Sequence, residues 1–265
     1  QIKIMKITLF TANQSRHNYL INLLSGISEE LNVIQENDTL FPGNVEGHYP
    51  ASGIYKDYFN NVVKAQKILF GENYINAHNL NLLSMKEGDI NKCSKDTLKK
   101  FLESDIYIVT GSSFIKGELA KFLVKNNALS IHMGLAPYYR GTDCNFWALY
   151  DNNPHLVGAT IYMLSEGLDT GKILYHALTE IKDDPFLYTM STVKSAFDSL
   201  AERIANKTIF KMPTVIQDKG KEVRYSKKNE FTEEIIHNFY KKKIELNKFT
   251  FNNSLYVNPF ILKNK

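Results

Sequence analysis

The chain has 265 residues, 43% hydrophobic and 23% charged, so it carries enough apolar material for a packed core and is not wholly disordered. Its 32 Lys and Arg against 28 Asp and Glu leave a formal charge of +4, too weak to imply nucleic-acid binding but of the sign that attracts an anionic substrate. Two cysteines without CxxC spacing, no apolar run near the roughly 18 residues of a membrane span, and no signal-peptide pattern make a reducing cytoplasm the expected location.

Met5 to Phe10 reads like a natural chain start, and the four residues before it are assigned no function. Lys3 to Phe10 is an apolar-rich strand, Thr11 to Ser15 a polar loop, and Tyr19, Leu20, Leu23 and Leu24 recur at helical spacing. Leu31 to Gln35 is a second strand. Asn37 to Ser52, rich in Pro, Gly and Asn, reads as a surface excursion of the length that often carries function. Ile54 to Phe70 places Tyr58, Val62, Ala65, Ile68 and Leu69 on one helical face, and Asn79 to Ser84 is a further strand.

Asp105 to Thr110 and Ala128 to His132 are strands joined through a helix that carries Leu119, Phe122 and Leu123. A right-handed βαβ unit with parallel strands brings the loops after Thr110 and Ile131 to one sheet edge, the edge where such sheets bind ligands. Five of the 14 glycines then fall between Met133 and Gly171, around the only Trp, Trp147, which marks a stretch of specified backbone geometry. Val157 to Leu164 and Lys172 to Thr179 are strands, and a helix from about Leu187 to Phe210 buries Val193, Phe197, Leu200, Ile204 and Ile209. Met212 to Tyr225, with Pro213 and Gly220, reads as a turn or hairpin. Glu230 to Lys242 reads as a last helix, basic at its C-terminal end. The expected fold class is therefore α/β, a mostly parallel sheet flanked by helices over residues 1–210 with a small C-terminal α+β appendage over residues 211–265, and without internal repeats.

None of the seven histidines has the i, i+4 spacing with a nearby carboxylate of a zinc site, so no metal is expected. The signatures GxGxxG, GxxxxGK[ST] and GxSxG are absent. Ser130 and His132 end a buried strand two residues apart and therefore point to the same side. The segment GLDTG holds Asp169 between two glycines, either as a functional carboxylate or as the tip of a hairpin in which Asp169 satisfies its own backbone.

The run from Ser130 to Gly141, followed by Trp147-Ala148-Leu149, Gly158-Ala159-Thr160 and Gly167 to Leu174, resembles the folate-dependent formyltransferases, the group of the methionyl-tRNA, glycinamide-ribonucleotide and sugar N-formyltransferases. The resemblance implies a Rossmann-like core and transfer of a formyl group from 10-formyltetrahydrofolate to a primary amine. His132 and Asp169 match the family His and Asp, 37 positions apart, and Ser130 stands where the family has Asn. An Asn amide would donate to the formyl oxygen as charge develops there; a Ser hydroxyl has one donor on a shorter arm, and reaches the oxygen directly, through water, or yields the role to another donor. His132 would be the acid or base, and Asp169 would orient it, favour its charged form or relay the proton.

By the same resemblance the pterin would lie against Gly111, Ser112, Ser113, Phe114 and Ile115 and against Leu168, with Phe114 and Ile115 alternatively starting a helix and packing inward. Arg16 and His17 resemble a pattern of the sugar enzymes in which this loop faces the active site; otherwise they are a solvated helix start. Tyr225-Ser226-Lys227 also resembles the sugar and tRNA enzymes. Arg140 meets a phosphate or fixes its own loop, and Tyr49, Tyr55, Tyr138 and Tyr139 are candidates to stack on a base or sugar ring. The resemblance implies a longer chain with a dedicated basic C-terminal domain for the methionyl-tRNA enzymes, whereas about 55 residues follow the core helix here and the whole chain carries only +4. The expected acceptor is therefore an amino sugar, nucleotide-linked, or an acidic nine-carbon sugar, nucleotide-linked or free, for surface polysaccharide or glycan synthesis. No nucleic-acid or membrane partner is expected, and a homodimer is the assembly this reading allows. The alternatives are a formyltetrahydrofolate hydrolase, with water in place of the amine, and a catalytically impaired folate- or nucleotide-sugar-binding homologue.

Overall fold

The structure, a computed structural model, describes residues 5–44, 48–72, 74–244, 246 and 251–263. Its strands are β1 (Lys6–Ala12), β2 (Glu30–Asn37), β3 (Leu80–Lys86), β4 (Ile106–Val109), β5 (Leu129–His132), β6 (Tyr139–Gly141), β7 (Ala159–Met163), β8 (Ile173–Thr179), β9 (Arg224–Ser226) and β10 (Phe260–Leu262). Its helices are α1 (Ser15–Ser25), α2 (Gly53–Phe70), α3 (Lys95–Leu98), α4 (Gly117–Lys125), α5 (Cys144–Tyr150), α6 (Pro185–Ala205) and α7 (Glu233–Lys241). The expected start of the first strand at Lys3 lies outside the described residues.

Eight strands form one sheet in the order β10-β8-β7-β5-β4-β1-β2-β3, and β6 pairs with β9 in a separate ribbon. From β3 through β2, β1 and β4 to β5 every pairing is parallel; β7 runs antiparallel to β5 and β8, and β10 is parallel to β8. The central strands β1 and β5 are buried almost throughout, as a sheet covered on both faces requires. Alternation along β1 sends Ile7 and Leu9 into a core with Leu20, Leu24, Val193 and Phe197, and Phe10 into the opposite core with Ile34, Tyr107, Ile115 and Leu123. A third, aromatic-rich core joins Tyr139, Phe146, Trp147, Tyr188, Phe231 and Phe239.

The chain runs outward from β1 through β2 to β3 and then returns to β4 on the other side of β1. This reversal opens a crevice beyond the carboxyl ends of β1 and β4, the place where open α/β sheets receive ligands.

Several expectations need correction. Helix α6 begins at Pro185 behind Asp184, which accepts the Leu187 N–H at 2.8 Å, but it ends at Ala205 because Lys207 takes the left-handed φ of 62°; Thr208 to Lys211 is a separate turn that still buries Ile209. On α2, Ile68 is exposed although the helical face was drawn to include it. Met212 to Tyr225 is not a hairpin: Val215 bridges Ile173, and Arg224 to Ser226 pair in parallel with Tyr139 to Gly141. Beyond α7, the polar tail supplies β10, which extends the main sheet beside β8. His176 helps hold this tail, its Nδ1 accepting the Val257 N–H at 3.1 Å while its Nε2 faces the Ala136 carbonyl at 2.9 Å.

Candidate active site

A cavity of about 310 Å³ opens at the β1–β4 switch point, lined by Arg16, His17, the stretch from Val109 to Ile115, Ser130, His132, Gly141, Tyr162, Leu168 and Asp169. Parallel pairing of β4 with β5 sets the loop after Val109 beside the end of β5, so Ser130 and His132 open into the space that this loop walls. The β7–β8 connection brings Asp169 back over them.

His132 and Asp169 are both nearly buried, 9% and 7% exposed, with Nδ1 of the ring 3.5 Å from Asp169 Oδ1. The other ring nitrogen, Nε2, faces the Tyr139 carbonyl oxygen at 3.2 Å. With its proton on Nε2 the ring satisfies that carbonyl and leaves Nδ1 toward the carboxylate, so a second proton arriving at Nδ1 is received between ring and carboxylate. Asp169 is itself held: Oδ1 accepts the Tyr162 hydroxyl at 3.0 Å and Oδ2 accepts the Gly141 N–H at 3.3 Å.

Asp169 sits at a left-handed φ of 51°, a conformation that a non-glycine residue keeps only when its surroundings impose it. Arg140 donates through Nη2 to the Leu168 carbonyl at 2.9 Å on one side, and Gln217 donates to the carbonyls of Asp169 and Gly171 at 2.8 and 2.7 Å on the other. A Cβ at Gly171 would lie 1.8 Å from the Met163 carbonyl oxygen, so only glycine lets the loop approach β7 this closely. GLDTG is thus both a hairpin tip, joining antiparallel β7 and β8, and the support of the carboxylate.

The wall from Gly111 to Ile115 is fixed by Glu36 at the end of β2. Its carboxylate accepts the Ser113 N–H at 2.6 Å, the Ser113 hydroxyl at 3.0 Å and the Gly88 N–H at 2.8 Å. Ser113 therefore lines the cavity with its N–H and hydroxyl already engaged by Glu36. Ser112 Oγ is buried and has no hydrogen-bond partner among the described residues. Phe114 and Leu168 keep 44% and 39% exposure on the cavity wall, and Ile115 is buried; the next helix starts only at Gly117.

Arg16 and His17 follow β1 at the start of α1. His17 is buried with Nδ1 unpartnered among the described residues, and burial followed by the Arg16 charge holds its imidazole well below the ordinary range, so it is neutral. Gly111, at φ 73°, packs so closely on it that a Cβ would come within 2.5 Å of His17 Nε2. Burial lowers the Arg16 guanidinium to about 10, which leaves it charged at neutral pH.

Three expected substrate residues do not line this cavity. Tyr139 is fully buried, its hydroxyl bonded to Asp151 and Asn153. Arg140 pairs with Glu222 at 2.8 Å and fixes its own loop. Tyr225 is exposed and stacks with Arg140, the guanidinium carbon 5.5 Å from its ring centre. Of the other aromatic candidates, Tyr55 and Tyr138 are buried and donate to the carbonyls of Phe231 and Leu255. Sequence reading missed Tyr162, Glu36 and Gln217. Tyr162 lies opposite Ser130 in the β5–β7 register, where a bulge between Ile161 and Tyr162 shifts the pairing to β8. The Ser130 hydroxyl is within hydrogen-bonding reach of the Tyr162 oxygen and also faces the Val109 carbonyl at 3.4 Å.

A second cavity, of about 390 Å³, adjoins the first and shares Arg16 and Met133 with it. Its walls include Tyr49, Tyr58, Phe59, Phe146, Phe186 and Phe239, with Asp38, Asp143 and Lys228 as its other charged residues. Among the described residues, no group of three or more His, Cys, Asp or Glu side chains could hold a metal ion, and no helix is long and apolar enough to cross a membrane.

Comparison with known proteins agrees with this geometry. Residues 96–209, which hold Ser130, His132 and Asp169, match the formyl transferase family. A methionyl-tRNA formyltransferase of Anaeromyxobacter dehalogenans is 30% identical over 105 residues, 39% of this chain and 33% of that protein, so the matched stretch spans about a third of the length of that curated relative. Among solved structures, a sugar N-formyltransferase from Shewanella sp FDAARGOS_354 superposes with a TM-score of 0.54 at 16% identity, covering 86% of this chain and 78% of the other. The phosphoribosylglycinamide formyltransferase of Anaplasma phagocytophilum gives a TM-score of 0.54 at 13% identity, covering 99% of this chain and 100% of the other. At these identities the superpositions show a shared fold.

Proposed function

We propose that this chain, a member of the folate-dependent formyltransferase family, moves a formyl group from 10-formyltetrahydrofolate to the primary amine of an amino sugar, nucleotide-linked, in the cytoplasm. The observation that carries the reading is the convergence of His132 and Asp169, 3.5 Å apart, in a cavity at the switch point of a parallel sheet. The residues present fit a reduced folate: a wall of backbone from Gly111 to Ile115, a buried Ser112 hydroxyl without a partner among the described residues, and the apolar faces of Phe114 and Leu168. When bound, the folate supplies a carbonyl carbon activated for attack by an amine.

The chain's own residues then manage protons and charge. The attacking amine must lose a proton as its bond to the formyl carbon forms, and His132 takes it at Nδ1, where Asp169 stabilises the resulting imidazolium; His132 would then give the proton up to the folate nitrogen that departs as its own bond to the formyl carbon breaks. Tyr162 and the Gly141 N–H keep Asp169 in place for this. Ser130 stands where the family has Asn, and its hydroxyl, which donates to the Val109 carbonyl, would have to turn from it to meet the developing oxyanion. The second cavity, small and aromatic-walled, supports a small-molecule acceptor.

A mass-spectrometric screen of free and nucleotide-linked amino sugars with 10-formyltetrahydrofolate tests the reading. The expected result is a product heavier by one formyl group. Formate release without any amine would instead identify a hydrolase, and ligand binding without turnover across the panel would identify a non-catalytic homologue.

A further inference from the structure

The two cavities meet along Met133 and Arg16, and the chain from Gly141 to Asp143 crosses from one to the other. The Gly141 N–H touches Asp169 in the first cavity, while Thr142 and Asp143 line the second. An amine approaching the reaction centre from the aromatic-walled side therefore passes Asp143.

That residue is built in an unusual way. It precedes α5 at a left-handed φ of 54°, yet its side chain does not cap the helix. The side chain is exposed and lines the cavity, and surrounding protein raises its carboxyl above the ordinary range, outweighing the Lys228 charge, a hydrogen bond from Thr142 and the Arg16 charge. No ion pair to it occurs among the described residues. The other carboxylate of the cavity, Asp38, is already engaged with the Thr39 N–H at 2.7 Å. Asp38 keeps its charge, so without Asp143 the space would face two cations, Arg16 and Lys228, against one carboxylate. An alkyl amine arrives at neutral pH as an ammonium ion, and a wall with that positive excess disfavours it.

We propose that Asp143 is the residue that reads the acceptor's amine, receiving it as an ammonium ion at the junction of the two cavities and so selecting strongly basic alkyl amines such as amino sugars. This rests on the formyltransferase reading above and deepens it. Asp143 is a positioning and specificity residue here; the proton that must leave before attack passes to His132.

The left-handed backbone provides an unusually clean test. Glycine suits φ 54° better than aspartate does, so Asp143→Gly removes the carboxylate without straining the fold, and Asp143→Asn removes the charge while keeping the shape. Binding is measured by calorimetry on a panel of UDP-linked and dTDP-linked amino sugars, each beside the same sugar nucleotide with a hydroxyl in place of the amine. The wild type should bind at least one amine at least tenfold more tightly than its hydroxyl partner. Both variants should lose that preference, with affinity for tetrahydrofolate unchanged and, for Asp143→Gly, a melting temperature not below that of the wild type. A preference that survives in both variants overturns the inference while leaving the proposed function intact. A wild type that neither binds nor formylates any amine of the panel overturns both.

Discussion

Acidification should loosen the C-terminal tail through one histidine. His176 is fully buried, and burial, only partly opposed by its hydrogen bond to the Ala136 carbonyl, holds it at about 4 against an ordinary value of 6.5; its Nδ1 accepts the Val257 N–H. Between those two values the unfolded chain binds a proton that the folded chain refuses, so stability is complete above about pH 6.5 and falls as the pH drops toward 4. At about 1.4 kcal/mol per pH unit the loss comes to roughly 3 kcal/mol, a large part of the stability of an ordinary domain. Urea denaturation followed by Trp147 fluorescence at a series of pH values measures this, with His176→Asn as the comparison, since its amide oxygen can still accept from Val257. The wild-type midpoint should fall more steeply over this window than the variant's, which keeps the slope contributed by His17, also held down by burial. Parallel curves for the two proteins would refute the assignment of the slope to His176.

The site makes further demands. Tyr162→Phe deletes a hydrogen bond to the Asp169 carboxylate, of the kind worth roughly 1.5–3 kcal/mol, and should lower kcat about tenfold or more while lowering the melting temperature by several degrees. Steady-state kinetics beside thermal melting will show it. Glu36→Gln loosens the Gly111–Ile115 wall and should raise KM for the formyl donor at least threefold while leaving acceptor KM within twofold. Gly171→Ala forces a Cβ onto the Met163 carbonyl and should lower the melting temperature by several degrees, at roughly 2–4 °C per kcal/mol for a chain of this size.

Much of this architecture is legible in the sequence because it rests on local pattern. The apolar runs of β1, β4 and β5 announce a buried parallel sheet, and two-residue alternation aligns Ser130 with His132. The glycines around Asp169 announce a loop of special geometry. What stayed hidden depends on distant partners. Tyr162 reads as an ordinary strand tyrosine until the register sets it opposite Ser130 and under Asp169. Glu36 looks like a solvated strand end and is instead a buried acceptor for a loop 77 positions away. Tyr139 and Arg140 looked available because loop residues usually are, but pairing with β9 and the Glu222 contact consume them. The strand at Phe260 is three residues long within a polar tail, too short for periodicity to mark, and it forms because β8 offers it an edge.

The most direct test of the central claim is the single-turnover rate of formyl transfer to an amino-sugar acceptor in His132→Ala and Asp169→Ala beside the wild type. Each variant should keep its fold and its affinity for the formyl donor while the rate falls at least tenfold. A rate equal to that of the wild type in either variant would remove that side chain from the chemistry and contradict the account.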